Sequence, residues 1–210
     1  MGAMAGQVRP YGGVQASDRL AARRRQLIEA GLDLLGGQTG PDDLTVRAIC
    51  AQANLTVRYF YENFADKDEF VGAVYDSVAA RLAVTTQASV AAAPASEQNR
   101  AGITNLVRFV ADDARVGRLL FSDRLSNAVL LRKRAQQEDL LISLSGQHLQ
   151  AALNVGGSNR LQATTHFVFG GIRQAMSAWQ SGEVQLSADE LVDLLVAILD
   201  DLNDPGLFRD

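Results

Sequence analysis

Twenty Lys and Arg against 24 Asp and Glu leave this 210-residue chain with a formal net charge of −4. With 47% hydrophobic and 21% charged residues, the composition suits a soluble folded protein and excludes a wholly disordered one. A lone cysteine, Cys50, excludes an intrachain disulfide framework and a cysteine-rich zinc site, and His148 and His166 are too far apart for a His-x-x-x-His pair.

The length suits one medium domain or two small ones. Residues 1–16 are rich in Gly and small side chains without a period and read as a flexible arm, with residues 1–3 as a cloning remnant ahead of Met4. Pro10, Gly12 and Gly13 break this stretch, so it does not read as a secretory signal. Helical spacing starts at Ser17, a candidate N-cap. Leu20, Leu27, Gly31, Leu34 and Leu35 fall on one face, and Gly36-Gly37 supplies a stop. Thr45 caps a short helix over 46–53, Asn54-Leu55 makes a tight turn, and Thr56 caps a second short helix over 57–61. Asp66 with Glu69 is a capping box that opens a longer helix to about 89. Pro94 marks a break within 91–96. Further helices are expected over about 97–115, 117–123, 126–153 and 159–180, with a loop at 154–158. Ser187 and Glu190 form a second capping box ahead of 188–202. The stretch 140–159 carries no formal charge, yet Ser143, Gln147, His148, Gln150 and Asn154 make it too polar to span a membrane. A cytoplasmic, all-α chain of about nine helices is expected.

The segment 44–70 is the informative one. Two short helices joined by a tight turn need a small residue where they cross, and Cys50 behaves as a small hydrophobe. A left-handed residue ends the first helix; Asn is the usual substitute for Gly, and Asn54 stands there. Leu55, Phe60 and Ile49 close a small core. This is the helix-turn-helix arrangement. Its outer face carries groups that suit DNA. Arg58 can read guanine bidentately, Val57 can touch a thymine methyl, and Thr45 and Lys67 at helix starts can meet phosphate. Residues 1–61 hold seven Arg and five acidic groups, so a locally attractive face is compatible with the acidic total.

Thr45-Val46-x-x-Ile49, the Leu55-Thr56 turn, Phe60-Tyr61-x-x-Phe64 and Lys67 followed by acidic residues resemble the DNA-binding domain of the tetracycline-repressor-like (TetR) family of bacterial transcriptional regulators. The resemblance spans about 23–74; the rest matches only in helical layout. Cys50 stands where the family usually has Ala, Asn54 where it has Gly, and Tyr59 is bulkier than usual. The resemblance implies a DNA-binding domain over 17–65 and an effector-binding and dimerisation domain over 66–210. It implies a homodimer on a near-palindromic double-stranded DNA operator, with half-sites roughly 34–36 Å apart. It assigns Thr45, Arg47, Tyr61 and Lys67 to phosphates and flanks, and Val57, Arg58 and Tyr59, following Thr56, to base edges. Blander readings stand beside these. Arg58 can be a solvated surface residue, the Arg23–Arg25 run a solvated helix face, Tyr61 half core, and Cys50 packing alone.

In the second part, 140–172 has one formal charge, Arg160, which implies burial on several sides. His166, Phe167, Gly170, Gly171, Gln174 and Ala175 on one helix, and Leu191, Leu194, Leu195, Ile198 and Leu199 on the next, are candidates for a four-helix dimer interface, or pack only within one subunit. An effector pocket is expected from the resemblance, with Phe109, Asp112, Phe121, Asn127, His148, Phe169 and Trp179 as candidate lining residues; ordinary core is the alternative. The resemblance thus implies a repressor released from DNA by a small molecule. A regulator without a ligand, or controlled by a partner, is the alternative, and a non-DNA helical binding protein is a third. No catalytic triad, phosphate-cradling loop or metal spacing is visible, so neither enzyme activity nor a cofactor is expected.

Overall fold

A computed structural model describes residues 13–37, 44–125, 127–153 and 159–202; over 13–16 and 146–153 it describes the backbone alone. These residues form α1 (Gly13–Leu35), α2 (Val46–Gln52), α3 (Val57–Tyr61), α4 (Lys67–Ala92), α5 (Gln98–Asp112), α6 (Ala114–Phe121), α7 (Ala128–Leu153), α8 (Asn159–Gln180) and α9 (Ala188–Asp201), with a short 3-10 turn at Ala95–Glu97. No strand occurs among the described residues. The expected loop at 154–158 and most of the expected arm lie outside them.

Several boundaries differ from the sequence reading, each for a local reason. The first helix already runs from Gly13, so Ser17 lies inside it rather than capping it, and Leu20 is exposed. The α4 helix continues past Ser89 to Ala92. It stops where Ala93 must turn extended (φ −94°, ψ 147°) ahead of Pro94, whose ring disfavours a helical neighbour. The helix expected over 97–115 is cut at Asp113. Its backbone is extended, and its carboxylate accepts the N–H of Arg115 at 3.0 Å, so it starts α6 instead. Asn127 opens α7 by accepting the N–H groups of Val129 and Leu130. The second capping box forms as expected, with Ser187 and Glu190 exchanging both hydrogen bonds.

Two apolar clusters hold these helices. The larger joins Leu27, Leu32 and Leu35 of α1, Ile49 and Cys50 of α2, Phe60 of α3 and Phe70, Val71, Val74 and Val78 of α4. It continues into Val116, Leu119 and Leu120 of α6 and Val129 and Leu130 of α7. The smaller gathers Ile103, Val107 and Val110 of α5, Met176 of α8 and Leu191, Val192, Leu195 and Val196 of α9. Packing is therefore continuous through α4, whose N-cap is Asp66. At Gly31 a Cβ would lie 2.5 Å from Val74 and 2.6 Å from Phe70, so glycine lets α1 and α4 cross closely.

Polar contacts then lock α6 against α1. Arg115 pairs with Glu29 at 2.9 Å, with Asp33, and with Asp113 at 2.6 Å, while the Arg118 guanidinium donates to the Gly36 carbonyl. At its other end, Arg134 of α7 donates to the carbonyls of Arg118, Leu119 and Ser122, satisfying groups that a helix end leaves open.

Candidate nucleic-acid interface

The site starts from a turn. Asn54 adopts φ 50°, the left-handed region that its side chain tolerates better than most. The N–H of Leu55 then donates to the Cys50 carbonyl at 2.8 Å, which turns the chain from α2 into α3. Cys50 is buried at the crossing, and burial pushes its thiol pKa up, as expected for packing rather than reactivity. Phe60, Phe64 and Phe70 pack in tilted and edge-to-face contacts, with centroids 5.1–5.5 Å apart, beneath the outer face. This aromatic floor fixes the direction of a helix only five residues long.

Above that floor Thr45, Arg47, Thr56, Val57, Arg58, Tyr61 and Lys67 are exposed, and Tyr59 is half-buried. Val57 and Tyr61 keep 40% and 58% of their surface in solvent, so Tyr61 stands out from the core despite its edge contact with Phe60. Thr45 caps α2 by accepting the Ala48 N–H at 3.1 Å. The expected cap by the Thr56 side chain does not form. Its extended backbone places the carbonyl to accept from Tyr59, and the hydroxyl remains outside. Lys67 opens α4 beside the Asp66 carboxylate, which accepts from Glu69 N–H at 2.8 Å.

The arginines of α1 do not form one solvated run. Arg25 is exposed, but Arg23 folds over α3 and Arg24 over the turn that follows it. The Arg23 guanidinium lies 3.8 Å above the Tyr59 ring, and Arg24 lies 4.4 Å from the Phe64 ring and donates to the Asn63 carbonyl at 2.9 Å. Glu62 joins Arg58 at 3.0 Å and Arg23 at 3.6 Å. None of these cross-helix contacts follows from local spacing; only the Arg58–Glu62 pair has the i,i+4 interval that a sequence can reveal.

The other candidate residues fall in different places. Phe109 and Asp112 line an open groove of about 570 Å³ between α4 and α5, together with Thr85, Asn105 and Arg108. Asn127 serves as the cap of α7. Phe121 is wedged between the two apolar clusters, and Trp179 packs on the smaller cluster with its indole N–H donating to Leu186. Phe169 is half-buried on α8, and the side chain of His148 lies outside the described residues. The structure therefore brings two of these residues to one groove, while Asn127, Phe121 and Trp179 have capping or packing roles on separate helices. On α8, Phe167 is 68% exposed, Gln174 is exposed, and a Cβ at Gly170 or Gly171 would meet open space. On α9, Leu194 and Ile198 are exposed, but Leu191 and Leu195 are buried against α5 within the subunit. Those two leave the exposed set because α9 is apolar on two sides. Among the described residues no group of three or more His, Cys, Asp or Glu could hold a metal ion, and no helix is long and apolar enough to cross a membrane.

Residues 27–74 match the family model of bacterial regulatory proteins, tetR family. Among curated proteins none matches the chain in sequence. Among solved structures, one named a putative TetR-family transcriptional regulator, from Syntrophomonas wolfei, superposes with a TM-score of 0.72 at 16% identity, covering 87% of this chain and 95% of that one. A TetR-like transcriptional regulator from Rhodococcus sp. RHA1 gives 0.68 at 19% identity, covering 88% and 97%. The regulator FadR from Bacillus subtilis, in complex with stearoyl-CoA, gives 0.65 at 18% identity, covering 86% and 98%. Residues 27–74 thus place this chain's amino-terminal domain in the tetR family of bacterial regulatory proteins, carried on the fold of TetR-like regulators.

Proposed function

We propose that the protein is a sequence-reading transcriptional regulator that grips duplex DNA as a homodimer and leaves it when a small molecule binds. One observation carries the reading: Val57 and Arg58 project from the start of α3 while Thr45, Arg47, Tyr61 and Lys67 stand exposed around them. In this reading α3 enters the major groove. Val57, Arg58 and Tyr59 face base edges, and the surrounding hydroxyls and cations meet phosphates. The exposed apolar side chains of Phe167 on α8 and of Leu194 and Ile198 on α9 belong, in this reading, to the surface that pairs two copies and sets the spacing of their α3 helices.

Ligand control draws support from the packing. The α6 helix is bolted to the end of α1 through Arg115 and Arg118, and α4 runs from the reading domain into the second one. A small amphipathic molecule in the groove beside Phe109 and Asp112 would bias α4 and α5. A differential affinity of about 1–3 kcal/mol between two arrangements suffices for release. A structural neighbour holds stearoyl-CoA, which makes acyl thioesters a sensible part of a ligand panel.

The test is selection of bound duplexes from a randomised pool, followed by titration of the enriched duplex with a panel of metabolites and stearoyl-CoA. The reading expects a near-palindromic enriched sequence and release by at least one compound. Enrichment of no sequence would defeat it. Enrichment with no release across the panel would favour a regulator without ligand control.

A further inference from the structure

We propose that Glu62 is a positioning residue that sets sequence discrimination by aiming Arg58. The proposal rests on the reading of α3 as the groove helix. Glu62 closes α3 as its C-cap, so it lies beside the reading surface without belonging to it. Its two carboxylate oxygens serve different helices. Oε1 accepts from Arg58 Nε at 3.0 Å, and Oε2 lies 3.6 Å from Arg23 Nη1 of α1. Arg23 in turn stacks on Tyr59, so one carboxylate ties together two base-facing positions and the helix behind them.

Donor accounting gives the consequence. A guanidinium carries five N–H groups, and Glu62 engages the one on Nε. The four on the two Nη atoms have no partner among the described residues and stay available. Guanine presents O6 and N7 to such a pair of donors. The Arg58 side chain is 85% exposed, so without Glu62 it is held by little and can settle on any phosphate. Such an exposed i,i+4 pair adds little to stability, so its effect is on orientation. The trio of Arg23, Glu62 and Arg58 keeps one net positive charge, so phosphate attraction is reduced but not lost while the carboxylate is neutralised.

The test uses the full chain, as wild type and as Glu62→Ala, Glu62→Gln, Arg58→Ala and the Arg58→Ala/Glu62→Ala pair. The probes are the duplex that wild type enriches from a randomised pool, its single-base-pair variants and a shuffled duplex. Glu62→Ala should lose about tenfold in preference at the position that Arg58→Ala makes indifferent. It should bind the shuffled duplex more tightly, and it should change no preference further when Arg58 is already absent. Glu62→Gln, isosteric and still able to accept from Nε, should fall between wild type and Glu62→Ala, and it carries the test if Glu62→Ala folds poorly. Unaltered preference in both variants, with all duplexes tightened alike, would overturn the proposal. So would a loss of preference that persists undiminished without Arg58, since Glu62 would then be reading a base itself. Failure of wild type to enrich any sequence would overturn the groove reading, and this inference with it, and is told apart because it appears before any substitution.

Discussion

Arg58 and Lys67 stand near the starts of neighbouring helices, yet their cations face different tasks. Arg58 projects from α3 with its Nε tied to Glu62, whereas Lys67 begins α4 on the flank. A base contact and a phosphate contact leave different signatures. Arg58→Ala should cost about 1–3 kcal/mol and erase preference at one operator position. Lys67→Ala should weaken every duplex alike and reduce the salt slope by about one unit per subunit. Anisotropy titrations over a salt series, on the enriched duplex and its variants, separate the two. Uniform loss for Arg58→Ala would make it a backbone contact. At this scale the sequence was informative at the turn and along α3, but not at Ser17 or Thr56, neither of whose side chains makes the expected cap. Asn54 has the left-handed backbone that its place after a short helix demands, and Arg58 and Glu62 have the helical interval of a pair. The stacking of Arg23 on Tyr59 was not legible, because it depends on where α1 crosses α3. A run of three arginines looks solvated until that crossing is known.

Between elements, the junction of α6 with α1 is where the sequence misled most. Asp113 lies in a helical pattern on both sides, and its capping role depends on Arg115 turning back to it. That arginine's hydrogen bond holds the Asp113 carboxyl below the ordinary carboxylate range, against the opposing pull of burial. The sign follows. A carboxyl held low in the folded state contributes stability above its unfolded pKa of about 3.9, and that contribution disappears as pH falls toward the folded value. Urea unfolding should therefore show stability decreasing below about pH 4. Asp113→Asn should lose stability at neutral pH and flatten that acid limb; parallel limbs for the two proteins would show that Asp113 contributes nothing to it. Gly36 tests the same junction by shape. A Cβ there would lie 2.5 Å from the Arg115 carbonyl, a backbone atom that cannot rotate aside. Gly36→Ala should cost about 1–3 kcal/mol in urea unfolding as α6 is pushed off α1.

For the whole molecule, the proposed pairing of two copies turns on which apolar side chains the subunit's own core leaves outside. Helical period marks Leu191, Leu194, Leu195 and Ile198 alike, so the sequence alone could not divide them. In the fold their exposure differs. Leu191 and Leu195 fill the cluster against α5, while Leu194 and Ile198 remain 49% and 45% exposed. Phe167 adds the largest exposed fraction among them, and the open space at Gly170 and Gly171 leaves room for a close backbone approach. Large apolar side chains left this exposed on a folded subunit support the proposed pairing with a second copy. Two kinds of substitution should then separate cleanly. Phe167→Asp combined with Ile198→Asp should shift sedimentation from dimer to monomer and leave helix content unchanged. Operator affinity should fall steeply, since each half-site would then be bound without help from the other. Leu195→Ala should instead lower unfolding stability by about 2–5 kcal/mol, through the cavity left against α5, and keep the sedimentation of a dimer wherever it remains folded. If the double Asp variant sedimented as wild type does, Phe167 and Ile198 would lie outside the pairing surface, and the spacing of the two α3 helices would have to be set elsewhere.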